Sequence, residues 1–213
     1  MTTLSYSAIK TYEQCPLKYK LGRIDRLPEP SGPAAERGKL IHTELESALK
    51  DGLVLLSEEI AYLSDKLTLW KTAGAQSEMT IAVNEAWKPC DFKDKSAIIR
   101  GIIDLYSEDG DTAVVLDFKS GKIRDYTDQV TVYATLIFAC YPHINRVIPT
   151  IEFIDHKKTK IYPTIERSQF EELKMTVNIR CASVLADKIY SPNPSFLCRW
   201  CHYRKDNGGP CKW

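Results

Sequence analysis

Three features are scarce in this sequence: long hydrophobic runs, an excess of charge of one sign, and repeated or low-complexity segments. No run approaches membrane-spanning length, and the first ten residues lack the apolar stretch of a signal peptide. Lys and Arg number 29 against 28 Asp and Glu, so the chain has no global basic field. We therefore expect a soluble, cytoplasmic protein with no membrane partner, in which any nucleic-acid binding comes from local patches.

Length and cysteine content narrow the class of protein further. A chain of 213 residues with 44% hydrophobic content suits one globular domain with elaborations. Seven cysteines are an odd number, which argues against the disulfide framework of a small secreted protein. The cysteines are therefore expected to be metal ligands or free thiols.

The most informative stretch is a predicted hairpin, in which two apolar, strand-type runs flank an Asp-Gly turn. A two-residue loop at Asp109-Gly110 leaves Asp117 one diagonal step from Asp104, on the same face of the hairpin. A loop at Gly110-Asp111 instead places the two carboxylates directly opposite each other. Lys119 shares the face of Asp117, because successive side chains of a strand alternate between faces.

Two facing carboxylates in apolar strands repel each other unless a cation lies between them. Mg²⁺ typically binds one or two protein carboxylates together with water and substrate phosphate oxygens. Lys119 would then orient a nucleophile or balance charge in a transition state. The alternative is that Asp104 and Asp117 simply end two buried strands where the chain meets water.

A helix predicted from Ala35 to Lys50 supplies a further candidate ligand. His42 lies on the same face as Leu45 and Leu49, with the spacing of an amphipathic helix. A histidine in this position is either a core residue with one satisfied nitrogen or a metal ligand, and the pattern alone leaves both interpretations open.

The rest of the sequence contains further predicted helices and strands, which together indicate an α/β fold. Further helices are predicted from Ser5 or Ser7 to Cys15-Pro16, from Ser57 through Ile60, Leu63, Leu67 and Trp70, from Asp125 to Cys140, and from a Ser168/Glu171 capping box to Tyr190. Strands are predicted at 78–83, 97–106, 112–119, 146–155 and 160–164. The order along the chain is helices, three meandering strands, a helix, a strand pair and a helix. This order predicts an α/β core with a mixed sheet.

The C-terminal segment contains a second candidate metal site. Cys198 and Cys201 form a CxxC motif, which brings two sulfurs together in a tight turn, and Cys211 follows. Three such ligands require a fourth, for which Cys15 in a Cys-Pro turn and the adjacent His202 are the candidates. The alternative is an exposed redox pair that binds no metal.

These motifs together resemble the RecB-like branch of the PD-(D/E)XK nuclease superfamily, in particular the small iron-sulfur exonucleases similar to the CRISPR-associated nucleases and the AddB nuclease domain. The resemblance covers nearly the whole chain. The matching pieces, in the family order, are Ser5-Tyr6-Ser7 through Cys15-Pro16-Leu17-Lys18-Tyr19, Gly38-Lys39-Leu40-Ile41-His42, Gly101-Ile102-Ile103-Asp104, Asp117-Phe118-Lys119, Gln129 with Tyr133, and the three-cysteine tail.

The resemblance implies roles for individual residues in a restriction-endonuclease-like core. The implied roles are metal ligands for Mg²⁺ or Mn²⁺ (His42, Asp104 and Asp117), catalytic residues (Asp104, Asp117 and Lys119), a motif that contacts DNA and supports the site (Gln129 and Tyr133), and ligands of a [4Fe-4S] cluster (Cys15, Cys198, Cys201 and Cys211). The nine residues between Cys201 and Cys211 are a longer gap than is usual in the family, so Zn²⁺ is an alternative to the cluster.

The resulting hypothesis is a metal-dependent DNA exonuclease that prefers single strands and serves recombination, repair or DNA-fragment processing. It consists of one nuclease domain, with residues 1–30 and 191–213 forming a cysteine subdomain, 31–75 a helical insert and 76–190 the nuclease core. Expected partners are DNA, a second copy of the chain, or recombination and repair proteins. The competing hypothesis is a catalytically silent nucleic-acid-binding or scaffold subunit with a structural Fe-S or Zn site.

Overall fold

A mixed, six-stranded sheet organises the chain. In the computed structural model, which describes residues 3–51 and 55–213, the strand order is β1-β2-β3-β4-β5, and β6 pairs with β4. The strands are β1 (Gln76–Asn84), β2 (Ala97–Asp109), β3 (Thr112–Lys119), β4 (Arg146–Phe153), β5 (Lys158–Ile161) and β6 (Ile165–Glu166). The first three form an antiparallel meander, whereas β3 and β4 are parallel, which confirms the predicted mixed sheet.

Six α-helices surround this sheet in the described part of the chain: α1 (Tyr6–Gln14), α2 (Pro16–Tyr19), α3 (Pro33–Asp51), α4 (Ser64–Thr72), α5 (Thr127–Cys140) and α6 (Phe170–Ala186). Helix α5 connects the two parallel strands, as a parallel pair requires. Helix α1 begins at the predicted cap, since the Ser5 hydroxyl accepts a hydrogen bond from the backbone N–H of Ala8. None of the helices in residues 3–51 and 55–213 is long and apolar enough to cross a membrane.

The alternating side chains of the strands bury two apolar cores, one on each face of the sheet. The paired residues Tyr106 and Val115 pack with α1, α5 and α6, whereas the adjacent pair Leu105 and Leu116 packs with α3 and α4. The alternation of side chains along β2 and β3 thus places helices on both faces, in the three-layer arrangement expected of an α/β core.

The predicted start of the third helix at Ser57 is wrong. The backbone N–H and the hydroxyl of Ser57 both donate to the Glu44 carboxylate of α3, at 2.5 and 2.9 Å. This long-range contact occupies the group that would have capped a helix. Helix α4 therefore starts only at Ser64, after a 3₁₀ turn, although the predicted apolar side chains Ile60, Leu63 and Leu67 are buried.

The boundaries of the last helix also differ from the prediction. The capping box before α6 uses Glu166 and Gln169 instead of Ser168 and Glu171. The helix ends at Ala186 and not at Tyr190, because the Asp187 carboxylate accepts hydrogen bonds from the backbone N–H groups of two following residues, at 2.8 and 3.0 Å. Such Asx turns compete with the helical hydrogen bonds and end the helix.

A buried carboxylate ties the helical layer to the sheet. Glu152 of β4 is fully buried and accepts hydrogen bonds from Tyr62 at 3.0 Å, Lys66 at 2.9 Å and Thr159 at 2.6 Å. It lies beside Phe118 in the parallel register of β3 and β4. This network therefore fixes α4 and its neighbouring turn next to the strand that carries Asp117.

We expect Lys66→Met to destabilise the fold by about 2 kcal/mol, because it leaves the buried Glu152 carboxylate without its counter-ion. This loss is smaller than that expected for a fully buried ion pair, because the Lys66 side chain is half-exposed. Urea unfolding measures the effect. Lys71→Met, on the same helix, is the matched control, since the Lys71 ammonium makes only a 3.4 Å contact with a backbone carbonyl. An equal loss in both variants would contradict the structural role of the pair.

Candidate metal centre

The turn between β2 and β3 decides how two of the predicted site residues face each other. Asp109 pairs with Thr112 and Leu105 pairs with Leu116, so the two-residue loop is Gly110-Asp111. This is the second of the two predicted registers, and continuing it by one residue places Asp104 opposite Asp117. The backbone N–H of Phe118 donates to Oδ2 of Asp104 at 2.7 Å. The two aspartates thus lie at the point where the paired part of β2 and β3 ends.

Asp117 is the most deeply buried member of the site, with 3% of its surface exposed. Its Oδ1 atom accepts a hydrogen bond from the Gln129 amide at 2.6 Å. Its Oδ2 atom forms an ion pair with the ammonium of Lys119, but no donor among the described residues reaches it at a favourable hydrogen-bond angle. One oxygen of this carboxylate therefore retains capacity to bind a cation.

The predicted pair Gln129 and Tyr133 lies behind Asp117. Both are on α5, and the Gln129 amide donates to the Tyr133 hydroxyl at 3.0 Å. Only 7% and 8% of their surfaces are exposed. Gly101 of β2 permits this packing, because a Cβ atom there would lie 3.2 Å from the Tyr133 ring. The pair is thus held in the interior by the sheet and orients the aspartate.

Helix α3 places His42 above the two aspartates. Nε2 of His42 lies 3.0 Å from the carbonyl oxygen of Phe118, and Nδ1 lies 3.5 Å from Oδ2 of Asp104. Burial by itself would lower the pKa of His42, but its hydrogen bond with Asp104 and the charge of that carboxylate raise it to about 8. A proton on this imidazole therefore supplies part of the positive charge that the site needs.

Glu78 of β1 is a site residue that the sequence reasoning missed. The pairs Ser77 with Leu105 and Met79 with Ile103 flank it, so it stands level with Asp104. Its φ of +50° lies in the left-handed region, which non-glycine residues adopt at a cost and which often marks functional sites. Burial, followed by the charge of Asp104, raises the pKa of Glu78. A single acid at a strand start is a weak signal in sequence, and its backbone conformation is not encoded locally.

Among residues 3–51 and 55–213, one group of His, Cys, Asp and Glu side chains offers three ligand atoms within 4.8 Å of one another. Its members are His42, Glu78 and Asp104. Carboxylate oxygens suit Mg²⁺ and Mn²⁺, and an imidazole nitrogen suits divalent transition-metal ions. Asp117 lies beside this group, opposite Asp104, so the residues present fit a divalent cation.

Asp117 and Lys119 each change the pKa of the other. Burial, followed by the charge of Asp104, raises the pKa of Asp117 to about 7. Burial by itself would lower the pKa of Lys119, but the charges of Asp117 and Asp104 outweigh it and raise that pKa. Lys119 therefore keeps its proton, and the ring of Tyr126 lies 5.1 Å from its Nζ atom. A protonated lysine is thus fixed beside the two carboxylates.

The four predicted cluster cysteines line one cavity of about 150 Å³, between the N-terminal helices and the C-terminal segment. The backbone N–H groups of Asn193 and Ser195 point at the sulfurs of Cys15 and Cys198, at 3.4 and 3.3 Å. His202, the alternative fourth ligand, does not line the cavity and packs its ring against Tyr203.

The separation of these sulfurs limits which metal the cavity suits. Tetrahedral zinc with Zn–S bonds near 2.3 Å requires sulfurs about 3.8 Å apart. In the described chain, no three cysteine sulfurs lie within 4.8 Å of one another. The structure therefore brings the four cysteines to one cavity without forming a close zinc-type cage.

Comparison with known proteins identifies the family. A model described as the PD-(D/E)XK nuclease superfamily matches residues 3–205, which is nearly the whole chain. None of the curated proteins matches the sequence closely enough to count as a relative.

Comparison with solved structures gives matches at low sequence identity. A protein from Eubacterium rectale, provisionally named an exonuclease, is 15% identical, with a TM-score of 0.60 over 95% of this chain and 88% of that one. The protein SSO0001 is 16% identical, with a TM-score of 0.47 over 100% and 88% of the two chains. LHK-Exo in complex with dAMP is 11% identical, with a TM-score of 0.47 over 86% of each chain. At these identities, the Eubacterium rectale match supports the fold.

We expect Asp117→Asn to stabilise the metal-free protein at high pH. A folded-state pKa of about 7, raised from 3.8, means that the folded protein resists ionisation of Asp117, so wild-type stability falls as pH rises between these values. Thermal melting in EDTA should therefore give the variant the higher melting temperature above pH 7, and the gain should vanish below about pH 4.

Asp111→Asn, in the turn of the same hairpin, is a control of opposite sign. Hydrogen bonds from Arg146, Asn145 and Thr112 lower the pKa of Asp111 to about 2, so its charge stabilises the fold above its unfolded pKa. This variant should melt below wild type at neutral pH and equally at very low pH. If Asp117→Asn also melted at a lower temperature than the wild type at pH 8, the ionised Asp117 carboxylate would stabilise the folded protein. That result would contradict the prediction.

Proposed function

This chain belongs to the PD-(D/E)XK nuclease superfamily, and we propose that it is a divalent-metal-dependent DNA exonuclease that prefers single strands. Superfamily membership supports hydrolysis of phosphodiester bonds in a nucleic acid. The observation that carries the proposal is the pair of facing aspartates, with Lys119 fixed against Asp117 and His42 within 3.5 Å of Asp104. A binding subunit would gain nothing from carboxylates that repel phosphate. We place the enzyme in recombination, repair or DNA-fragment processing.

In this proposal, His42, Asp104, Asp117 and the carbonyl oxygen of Phe118 hold Mg²⁺ or Mn²⁺, with Glu78 as an additional ligand. When bound, such an ion would neutralise charge on the scissile phosphate and acidify water. The Asp117 oxygen that lacks a well-directed donor and the close group of His42, Glu78 and Asp104 support this assignment.

Lys119 is proposed as the catalytic lysine. Its ammonium remains protonated because two carboxylates lie nearby, and it carries three hydrogen-bond donors. It forms an ion pair with Asp117 and no well-directed hydrogen bond there, which leaves its donors for a phosphate oxygen or for the attacking water. A preorganised cation of this kind stabilises charge that develops at phosphorus without reorganising during the reaction.

Gln129 and Tyr133 are proposed to act through Asp117. The Gln129 amide donates to both Asp117 and Tyr133, so one side chain sets the orientation of the carboxylate. Their burial favours this positioning role and argues against the direct DNA contact that the family resemblance implied.

For the cavity lined by Cys15, Cys198, Cys201 and Cys211 we propose a [4Fe-4S] cluster that joins the two ends of the described chain. A cavity between the sulfurs suits a cluster better than a single zinc ion, which needs a closer cage. Backbone N–H groups directed at two of the sulfurs support the same assignment, since such hydrogen bonds stabilise iron-sulfur ligands. The cluster would stabilise the fold and takes no part in hydrolysis.

End-labelled single-stranded DNA tests the proposed activity. The wild type should release label with Mg²⁺ or Mn²⁺ and not with EDTA, and Asp104→Asn or Lys119→Ala should lower the rate at least about a hundredfold. Asp109→Asn, an exposed acid at the end of the same hairpin, is the matched control and should retain wild-type activity.

Two results would contradict the nuclease assignment. Cleavage that persists in EDTA and in Asp104→Asn would point to a contaminating enzyme. A folded wild type that binds DNA but cleaves neither single nor double strands with either metal would support the silent binding subunit instead.

Anaerobic purification tests the cluster. The protein should be brown, with broad visible absorption that fades on reduction, and Cys198→Ala should lose the colour and melt at a lower temperature. Cys90→Ala, outside the cavity, should keep both properties. A colourless protein that contains stoichiometric zinc would refute the iron-sulfur assignment.

A further inference from the structure

Three large aromatic side chains of the C-terminal segment lie on the surface. Phe196, Trp200 and Trp213 expose 70%, 66% and 50% of their surfaces, whereas Trp87, in the core, exposes 8%. We call these three side chains the aromatic platform. A cluster of exposed aromatic side chains is typical of a surface that binds another molecule.

The members of the platform are close to one another and to the cysteine cavity. The ring centroids of Phe196 and Trp200 are 6.3 Å apart and their planes are nearly perpendicular. Trp200 and Trp213 both line the cavity that the four cysteines share. The platform is therefore held in place by the segment that the cysteines organise.

Two cations accompany the tryptophans. The guanidinium of Arg199 lies 4.9 Å from the centre of the Trp200 ring, and the ammonium of Lys212 lies 5.8 Å from that of Trp213. Within residues 3–51 and 55–213, neither cation forms an ion pair. Each tryptophan thus presents a ring next to a positive charge that has no acidic partner there.

The surroundings of the platform are basic although the chain as a whole is nearly neutral. Residues 10–26 and 191–213, which both line the cysteine cavity, contain nine Lys and Arg and three Asp and Glu. The rest of the chain contains 20 basic and 25 acidic residues. Four of these nine basic residues form ion pairs, which leaves five outside ion pairs in the described chain: Arg23, Arg26, Arg199, Lys205 and Lys212. Their positive charge would attract a polyanion.

We propose that the aromatic platform binds single-stranded DNA by stacking unpaired bases on Trp200 and Trp213, while Arg199 and Lys212 contact its phosphates. This inference rests on the proposed nuclease function and adds a substrate-binding surface to it. Unpaired bases expose the faces that stacking requires, whereas the bases of a duplex already stack on one another. The platform would thus bind single-stranded DNA in preference to duplex DNA.

Helix α1 connects this surface with the candidate metal centre. Lys10 of this helix contacts Asp128 of α5, the residue before Gln129, at 3.1 Å. Gln14, one turn further along the helix, lines the cysteine cavity. One short helix therefore contacts both the helix that supports Asp117 and the cavity beside the platform.

Intrinsic tryptophan fluorescence tests the proposal without requiring cleavage. In EDTA, we titrate the whole protein with a thymidine oligonucleotide of about 12 nucleotides and with an abasic oligonucleotide of the same length. The thymidine strand should quench the fluorescence and bind at least about tenfold more tightly than the abasic strand. Trp200→Ala should lower the affinity for the thymidine strand about tenfold and leave the affinity for the abasic strand unchanged.

Two further variants separate stacking from charge and from folding. Arg199→Gln should reduce the slope of log affinity against log salt concentration by about one, which is the contribution of one phosphate contact. Leu69→Ala is the matched control, because Leu69 is an equally exposed apolar side chain on α4, and it should change neither affinity nor melting temperature.

Equal affinities for thymidine and abasic strands, or no effect of Trp200→Ala, would overturn the proposal. Self-association that depends on Trp200, measured by sedimentation, would assign the surface to a second copy of the chain and overturn it as well. If the protein cleaves DNA but binds thymidine and abasic strands equally well, only the platform proposal is refuted. If the thymidine strand quenches the fluorescence as predicted but no metal-dependent cleavage occurs, only the nuclease assignment is refuted.

Discussion

Electrostatic repulsion between acids on neighbouring strands is the constraint on which the centre depends. Glu78 and Asp117 stand level with Asp104, one on each side of it in the order β1-β2-β3. Burial and mutual repulsion raise the pKa values of Glu78 and Asp117, which means that holding these groups ionised costs free energy. Lys119 and a protonated His42 offset part of that cost. A divalent cation would offset more of it, because it can contact several oxygens at once.

The surrounding fold keeps these groups together against their repulsion. Helix α3 carries both His42 and Arg37, and Arg37 forms a two-armed contact with Asp155, in the turn that follows β4, at 2.6 and 3.3 Å. Asp155 also accepts a hydrogen bond from the backbone N–H of Gly121, two residues beyond Lys119, at 2.8 Å. The helix that supplies the histidine and the loop that follows the lysine therefore share one carboxylate. Together with the Glu152 network, this contact makes the geometry of the centre a property of the whole sheet.

Much of this arrangement could be predicted from local sequence, and the failures have a common physical cause. Alternation along the hairpin placed Asp117 and Lys119 on one face, and it gave the register of Asp104 as one of two alternatives. The start of α4 was misplaced because Glu44, distant in sequence, occupies Ser57. Glu78 was missed because its role depends on a left-handed backbone and on a neighbouring strand. Local patterns thus specified the elements, whereas contacts between elements decided boundaries and completed the site.

The central claim is that the acids and His42 form one cation site, and calorimetric titration with Mn²⁺ tests it most directly. The account predicts saturable binding to the wild type that is lost in Asp104→Asn and retained in Asp109→Asn, with release of protons at neutral pH as the metal displaces the proton of His42. Absence of Mn²⁺ binding to a folded wild type, or binding that Asp104→Asn leaves unchanged, would contradict the account.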